Sequence, residues 1–532
     1  MMKILVADPI SPVGVERLKA CEGFDVVEAY GSSPEQILAL AADAAAIIVR
    51  SETKVKSEVI AAANNLQVVG RAGVGVDNID LDAATEAGVI VMNTPGGNTI
   101  ATAELTFTHM LCGARPITQA AASMRENRWD RKLFVGSELR GKTLAVLGLG
   151  RIGAEVAKRA KAFDMEVIAY DPYLTDARAR ELEIGKVDLG DAFAQADFLT
   201  VHMPLTDETR GMVNADSFAK MKDGIRIFNC ARGGIVDEDD LKTALESGKV
   251  AAAGLDVYGE EPLPEGHPLR GTKNLNLTPH LGASTKEAQE NVGLEIAEAV
   301  IDVLQTGRIR HAINAPSVDP RDLEVLRPYL ELARRLGSFV QQLGPTGVNS
   351  LRITYRGKIV DLDTMPLTRA TQLGFLKGIA GNEVNDVNAA SKMKCLGIEV
   401  TSTKSTSPAD YSELIEVEAA SDDKRASVAG ILVGTARSPR IVQVDGESIE
   451  ANPEGALLVV RNVDKPGILG KLGTILGKTQ VNIGNMSLSR RDEGESDTAL
   501  TIFELDEEPP IEVLDELQAD ADVHKAKVVR FS

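Results

Sequence analysis

Three side chains of complementary chemistry follow three successive apolar runs. Arg232 comes after residues 224–229, Glu261 after 251–257, and His280 after 275–277. An imidazole, with an unperturbed pKa of about 6.5, suits proton exchange near neutrality. A carboxylate on its other ring nitrogen fixes the tautomer and stabilises the imidazolium. A guanidinium can grip a carboxylate with two parallel hydrogen bonds. This set suits removal of a hydroxyl proton from a small acid as a hydride leaves the same carbon. Among six histidines (His109, His202, His267, His280, His311 and His524), His280 alone stands in a Pro- and Gly-bounded loop at a strand end.

Hydride transfer needs an acceptor, and residues 143–171 supply a place for one. They read TLAVLGLGRIGAEVAKRAKAFDMEVIAYD. A short apolar strand leads to Gly148, Gly150 and Gly153, then to a run of helix formers, a second strand and Asp171. This is a strand–turn–helix–strand unit with G-x-G-x-x-G spacing in its first turn. Gly148 allows the tight turn, Gly150 lets a pyrophosphate approach the backbone, and Gly153 lets the helix pack on the sheet. The helix N-terminus offers unpaired N–H groups to the anion. Asp171, 18 positions beyond Gly153, can accept from both ribose hydroxyls and would repel a 2′-phosphate. NAD is therefore expected rather than NADP.

The elements that must position these groups follow from the strand and helix pattern. Residues 3–92 alternate β-branched runs (KILVA, VVE, AIIVR, VVGRA, VIVMN) with helical stretches at 33–41 and 57–63. Such alternation implies a parallel, doubly wound sheet. Two strand ends carry cations: Arg50-Ser51, and Arg71 followed by the turn Gly73-Val74-Gly75. Guanidinium and turn N–H groups there can hold a carboxylate or phosphate. A single long helix is expected over 99–127, as a crossover between domains. It ends in a basic knot of Arg125, Arg128, Arg131 and Lys132 around the only tryptophan, Trp129.

A helix over 285–306, stopped by Gly307, is expected to return the chain to the first domain. Pro316 and Pro320 mark a linker. Residues 325–452 mix strands (351–355, 414–419, 429–433, 441–444) with helices and carry no chemical motif. From 455 the order is strand, helix, strand, strand, helix, strand, which is ferredoxin-like.

Bulk properties exclude other classes. At 532 residues the chain is too long for a single core. A net charge of −20 argues against nucleic acid and anionic membrane as partners. No apolar run is long enough for a signal peptide or a membrane span, so a cytoplasmic protein is expected. Cys21, Cys112, Cys230 and Cys395 lack metal or redox spacing and read as small buried hydrophobes; no metal site is expected.

The stretches GRAGVGVDNID, NTPGGNTIATAE, GLGRIG, NCARGGIVDE, LDVYGEEP and TPHLGAST resemble the D-isomer-specific 2-hydroxyacid dehydrogenases, in the long branch that oxidises phosphoglycerate. The resemblance implies an α/β fold with two doubly wound parallel-sheet domains. These are a flavodoxin-like substrate domain (1–98 and 285–315) and a Rossmann NAD domain (99–284). An α+β intervening domain (316–453) and a ferredoxin-like ACT domain (454–532) follow. It places the catalytic set on Arg232, Glu261 and His280. Cofactor contacts fall on Gly148, Gly150, Arg151, Ile152, Gly153, Asp171, Met203, Pro204, Cys230, Ala231, Asp256, Gly282 and Ala283, with Arg232 and His280. Substrate contacts fall on Arg50, Ser51, Arg71, Gly73, Val74 and Arg131, the last lent to a neighbouring subunit.

The activity implied is NAD-dependent oxidation of 3-phosphoglycerate to 3-phosphohydroxypyruvate, the entry to L-serine synthesis, in a homo-oligomer, favoured as a tetramer. L-serine is implied as an effector at Asn462, Asp464 and Asn482 of the ACT domain, and anion-sensitive regulation in the intervening domain. There the sequence departs from its relatives: residues 445–454 carry acids and no Lys or Arg, although Arg437 and Arg440 are near. Two other readings stand beside this one. The same site could reduce glyoxylate, hydroxypyruvate or 2-oxoglutarate, or the scaffold could serve as a non-enzymatic NAD-sensing corepressor.

Overall fold

Five short aliphatic strands open the chain: β1 (Met2–Val6), β2 (Phe24–Glu28), β3 (Ala44–Val49), β4 (Val68–Arg71) and β5 (Ile90–Met92). They pair in parallel in the order β2-β1-β3-β4-β5. Every residue of β3, AAAIIV, is buried, as helices on both faces of a parallel sheet require. The computed structural model describes residues 1–316, 320–406, 411–490 and 498–531. Residues 317–319, in the expected linker, lie outside them.

Seven further parallel strands follow: β6 (Thr143–Leu147), β7 (Glu166–Tyr170), β8 (Gly185–Lys186), β9 (Phe198–Val201), β10 (Ile225–Asn229), β11 (Val250–Leu255) and β12 (Leu275–Leu277). Their order is β12-β11-β10-β9-β6-β7-β8. The order reverses between β6 and β9, and ligands of such sheets sit beyond the carboxyl ends at that point. Gly148, Arg232, Asp256 and His280 all lie past carboxyl ends on this edge.

The expected single helix over 99–127 is two. Helix Thr99–Ala114 stops at Arg115, which is extended (φ −123°, ψ 116°), and a second helix runs from Ile117 to Arg125. Pro116 lacks an N–H and disfavours helical backbone at the residue before it. Good helix formers on both sides mask the break. Helix Lys286–Thr306 does return to the first sheet and ends at Gly307 with φ 68°. It lies so close to helix Pro12–Lys19 that a Cβ on Gly14 would be 2.4 Å from the Gly293 carbonyl oxygen. Asn314 then accepts from Val91 N–H (2.9 Å) and donates to the Val89 carbonyl (2.9 Å), fastening the chain to β5.

The third sheet is mixed: β13 (Ser350–Gly357), β14 (Glu399–Ser405), β15 (Glu413–Ala420), β16 (Arg425–Val433), β17 (Ser438–Val444) and β18 (Glu447–Ala451), in the order β14-β13-β15-β16-β17-β18. Sequence pattern missed β14, a mostly exposed polar edge, and β18, whose five residues, ESIEA, include two acids and a serine. Helices Pro320–Leu343 and Met365–Ala380 cross on this sheet. Cβ atoms on Gly337 and Gly374 would lie 2.1 and 1.9 Å from carbonyl oxygens of the opposite helix.

The last sheet, β19 (Ala456–Val463), β20 (Ile483–Arg490), β21 (Thr498–Leu505) and β22 (Val523–Arg530), is antiparallel in the order β20-β21-β19-β22. Its two helices cover one face. The other face (Leu457, Val459, Leu500, Ile502, Val529) shares a core with the third sheet and helix Pro320–Leu343. Lys527 and Lys525 also donate to the last carbonyls of that helix, at 3.1 Å (Gln342) and 3.2 Å (Leu343), where a cation is favoured. Among the described residues no helix is long and apolar enough to cross a membrane. No cluster of three metal-ligating side chains occurs among them. Of the cysteines only Cys230 is buried; Cys21 and Cys112 are half-buried and Cys395 is exposed. The expectation of four buried thiols is corrected to one: Cys395 closes a short helix on the surface.

Candidate active site

The glycine turn after β6 has the stereochemistry its spacing demands. Gly148 has φ 92°, and a Cβ there would meet the His202 carbonyl at 2.7 Å. A Cβ on Gly153 would lie 2.2 Å from the Gly148 oxygen, so helix and turn pack only without it. Around Gly150 the same position points into open space, leaving room for a pyrophosphate. The first intrahelical bond runs from Ala154 N–H to Gly150 C=O (2.9 Å). The N–H groups of Arg151, Ile152 and Gly153 are therefore without intrahelical partners. Asp171 accepts from Leu149 N–H (2.8 Å) and from Tyr173 N–H (2.8 Å). Its carboxylate thus anchors the turn and keeps one lone pair per oxygen for a ribose.

At the neighbouring strand ends a second loop is built around Asp256, which is fully buried. Its carboxylate accepts from Thr278 Oγ1 (2.6 Å), Leu281 N–H (2.7 Å) and Gly282 N–H (2.9 Å). Thr102 Oγ1 donates to the Gly282 carbonyl (2.9 Å), and His109 Nε2 bonds Thr278 Oγ1 (3.0 Å). Asp256 was expected among the cofactor contacts; here it holds the loop that carries His280. That loop needs holding, because His280 is left-handed (φ 54°), a conformation that costs a non-glycine residue about 1–2 kcal/mol.

His280 Nδ1 lies 2.7 Å from Glu261 Oε2, and Glu261 Oε1 accepts from Tyr258 N–H (3.0 Å). A carboxylate only accepts, so Nδ1 carries the proton and Nε2 is the basic nitrogen of the neutral ring. The Glu261 bond raises the His280 pKa above the ordinary imidazole value, against burial and the Arg232 charge. Burial would raise Glu261, but its bonds to His280 and Tyr258 N–H hold it below the usual carboxylate range. The side chain of His280 remains 51% exposed, so the ring is reachable.

Arg232 stands between the two sheets. Its Nη1 donates to the Ala231 carbonyl (2.7 Å) and its Nε is 3.5 Å from Asp77 Oδ2. The guanidinium rests on Gly75, where a Cβ would be 2.0 Å from Nη2. The smallness of Gly233 and Gly234 serves the backbone. A Cβ on Gly233 would be 1.7 Å from the Tyr258 carbonyl oxygen, and Gly234 turns the chain at φ 79°. Packing at Gly233 thereby couples the Arg232 loop to the Glu261 loop.

The opposite wall comes from the first sheet. Arg71 packs on Gly73, where a Cβ would be 1.9 Å from Nη1. Burial and the charge of Arg232 lower its guanidinium to about 10, with Arg50 adding to the repulsion. The buried Arg71 Nε has no hydrogen-bond partner. Three cations in mutual repulsion, one with an orphaned donor, are what an anion site needs. Gly73 N–H was expected to join that site, yet it donates to the Arg71 carbonyl (2.9 Å). Ser51 is exposed beside Arg50, and Val74 is fixed by Asn93 Nδ2 on its carbonyl (2.5 Å).

Sequence reasoning missed Asp8. It is buried at the end of β1 and accepts from the N–H groups of Arg50 (2.7 Å), Glu52 (3.2 Å) and Thr53 (3.0 Å). Asn78 Nδ2 adds bonds to the Arg50 and Thr53 carbonyls (2.9 and 2.6 Å). An acid directly after an apolar strand was the available signal.

Other expected residues are placed as follows. Met203 and Cys230 are buried, and burial pushes the Cys230 thiol up to about 12, so it stays protonated. The Pro204 carbonyl accepts from Thr209 Oγ1 (2.6 Å), Ala231 N–H donates to Asn229 Oδ1 (3.0 Å), and Ala283 is half-buried behind Gly282. Arg131 is exposed on a short 3-10 turn, outside the charges that act on Arg71. The three effector candidates do not converge. Asn462 is buried and accepts from Thr501 Oγ1 (3.0 Å), Asp464 pairs with Arg490 (3.2 Å), and Asn482 donates to Asp506 (2.6 Å).

Comparison with known proteins defines the class first. Residues 107–282 match the NAD binding domain of the D-isomer specific 2-hydroxyacid dehydrogenases, in agreement with the parallel order and the glycine turn. A glyoxylate reductase from Paecilomyes thermophila is 32% identical, with a TM-score of 0.54, over 59% of this chain and 98% of its own. Residues 325–445 match the D-3-phosphoglycerate dehydrogenase intervening domain and residues 456–522 an ACT domain. A D-3-phosphoglycerate dehydrogenase of Archaeoglobus fulgidus is 42% identical over 97% of both chains. One from Synechocystis is 42% identical over 100% of this chain and 95% of its own. The chain belongs to the D-3-phosphoglycerate dehydrogenase family.

Proposed function

We propose that the cleft between the first two sheets oxidises 3-phosphoglycerate to 3-phosphohydroxypyruvate, the first committed step towards L-serine. The observation that carries this reading is the opposition of His280–Glu261 to the Arg50–Arg71–Arg232 cluster. NAD, bound at the Gly148–Gly153 turn, supplies the hydride-accepting ring carbon. Arg232 binds the substrate carboxylate and draws electron density from the adjacent oxygen. His280 Nε2 takes the hydroxyl proton as the carbon–hydrogen electron pair departs, and a carbonyl forms. Glu261 stabilises the imidazolium that results. Arg50 and Arg71 meet the phosphate, with Arg131 of a neighbouring subunit as a third cation; this requires a homo-oligomer, for which a tetramer is the favoured size. The Asp171 carboxylate accepts from the ribose hydroxyls and repels a 2′-phosphate.

L-serine is the proposed effector at an interface between two copies of the C-terminal domain, with Asn462 and Asp464 from one copy and Asn482 from the other. A carboxylate suits the N–H groups at the start of helix Ile468–Lys478, and Asp464 suits the ammonium.

Initial rates of the purified chain test the assignment, with NAD and 3-phosphoglycerate in one direction and NADH with hydroxypyruvate, glyoxylate or 2-oxoglutarate in the other. The expected result is a kcat/KM for 3-phosphoglycerate above those for the unphosphorylated acids. Turnover of glyoxylate alone would assign the cleft to another 2-oxoacid, and no turnover would favour an NAD sensor.

A further inference from the structure

Arg437 and Arg440, just before the acidic stretch 445–454, are already engaged. Arg437 stacks on Tyr329 (4.6 Å), Arg440 is 3.7 Å from Glu450, and Arg461 holds Asp445 (2.8 Å) and Glu447 (2.6 Å). A different group of arginines is mostly not. Where helix Lys286–Thr306 ends and the third-sheet helices begin, a cavity of about 180 Å³ is lined by Arg308, Arg310, Arg334 and Arg369, with Asp386 as its acid.

Arg308, Arg334 and Arg369 are fixed by fold rather than by a counter-ion. Arg308 and Arg310 follow the left-handed Gly307. Arg334 and Arg369 sit on the two helices at their closest approach, where a Cβ on Gly374 would be 1.9 Å from the Arg334 carbonyl oxygen. Asp386 adjoins Asn385, whose Nδ2 donates to the Gly88 carbonyl (2.7 Å) of the first sheet's domain. Arg310 pairs with Asp302. Among the described residues Arg308, Arg334 and Arg369 have no ion pair. The nitrogens Arg310 Nε, Arg334 Nε, Arg369 Nε and Arg369 Nη1 are buried without a hydrogen-bond partner. Four guanidinium groups meet only two carboxylates, Asp302 and Asp386, in a chain of net charge −20. Four buried orphan donors in one small cavity are rare in folded proteins, where buried polar groups are nearly all paired.

We propose that this cavity is a binding site for a tetrahedral oxyanion, phosphate either free or as the monoester of a small amine or alcohol, separate from the catalytic cleft. Guanidinium forks match phosphate oxygens in pairs. The volume suits a phosphate with a few further atoms and is far below that of a nucleotide site. Asp386, unsuited to the oxyanion itself, accepts from the amine or hydroxyl of a monoester. Because its walls come from both the first sheet's domain and the intervening domain, a bound anion ties the two together.

Calorimetric titration of the full chain with inorganic phosphate and with O-phosphoethanolamine tests this. Two phosphate sites per chain are expected in the wild type. Arg71→Gln should weaken the cleft site and leave the other, whereas Arg369→Gln should weaken the other at least tenfold and leave the cleft site. Asp386→Asn should lower affinity for phosphoethanolamine more than for phosphate; equal loss of both would assign the site to free phosphate. A single site removed by Arg71→Gln and untouched by Arg369→Gln would overturn the proposal. If Arg369→Gln does not fold, wild-type crystals grown with tungstate decide: anomalous density between Arg334 and Arg369 supports the site, and none there refutes it.

Discussion

The catalytic cleft and the C-terminal domain both present polar side chains at strand ends, with opposite outcomes. In the cleft, Arg71 keeps an unpartnered buried nitrogen and His280 uses only one ring nitrogen within the chain. In the C-terminal domain each candidate is already occupied, Asn462 by Thr501, Asp464 by Arg490 and Asn482 by Asp506. A ligand arriving at the cleft satisfies groups that have no alternative. A ligand arriving at the C-terminal loop must exchange one hydrogen bond for another, and the net gain of such an exchange is small. Substitutions in the cleft should therefore act strongly, and those in the C-terminal loop weakly.

The largest effect is expected at the proton. His280→Asn should lower kcat roughly 100- to 10,000-fold with NAD affinity unchanged, read from initial rates and NADH fluorescence titration. Next comes the anion wall. Arg71→Ala should raise KM for 3-phosphoglycerate roughly 10- to 100-fold, since a charge-assisted hydrogen bond contributes about 1.5–3 kcal/mol, and leave KM for glyoxylate nearly unchanged. Equal changes for both acids would remove the phosphate from the mechanism.

Glu261 tests the pH dependence. Oxidation needs neutral His280, whose pKa is raised chiefly by the Glu261 bond. The rate should climb as pH rises through a value above that of an ordinary imidazole. Glu261→Gln should move this limb to lower pH, and an unmoved limb would show that another group titrates. The same raised pKa adds stability that is complete below the unfolded value and is lost as pH rises through the folded one.

Asp171→Ala should relax discrimination against NADP by about tenfold. That is a modest change, because the variant also frees Leu149 N–H and loosens the turn. The smallest effect is expected in the C-terminal domain: Asp464→Asn should raise the half-inhibiting concentration of L-serine about fivefold, roughly the worth of one hydrogen bond, without altering uninhibited turnover. A loss as large as those in the cleft would erase the contrast between the two regions.

How far the sequence could be read follows the same physics. The Gly148, Gly150 and Gly153 roles were legible because turn stereochemistry dictates residue type position by position. The pairing of His280 with Glu261 was legible because histidine is scarce and loop-borne here. The loop-holding bonds of Asp256 and the whole of Asp8 were not legible, since a buried acid takes its partners from far along the chain: Leu281 for one, Arg50 and Thr53 for the other. The tight packing at Gly233 was hidden for a related reason; its close neighbour is the Tyr258 carbonyl, which no local pattern reveals. The break at Arg115–Pro116 was present in the sequence, but helix formers on either side concealed it. Edge strand β14 carries too little apolar alternation to be seen at all.

Whether His280 moves the proton in an oxidation of 3-phosphoglycerate is decided by one experiment. NADH production from NAD and 3-phosphoglycerate is followed side by side for the wild type and His280→Asn, with NADH binding measured on the same samples. Steady turnover is expected in the wild type, a loss of at least about 100-fold in the variant by the size of general acid–base catalysis, and equal NADH affinity in both. Turnover retained in the variant at normal NADH affinity would contradict the assignment.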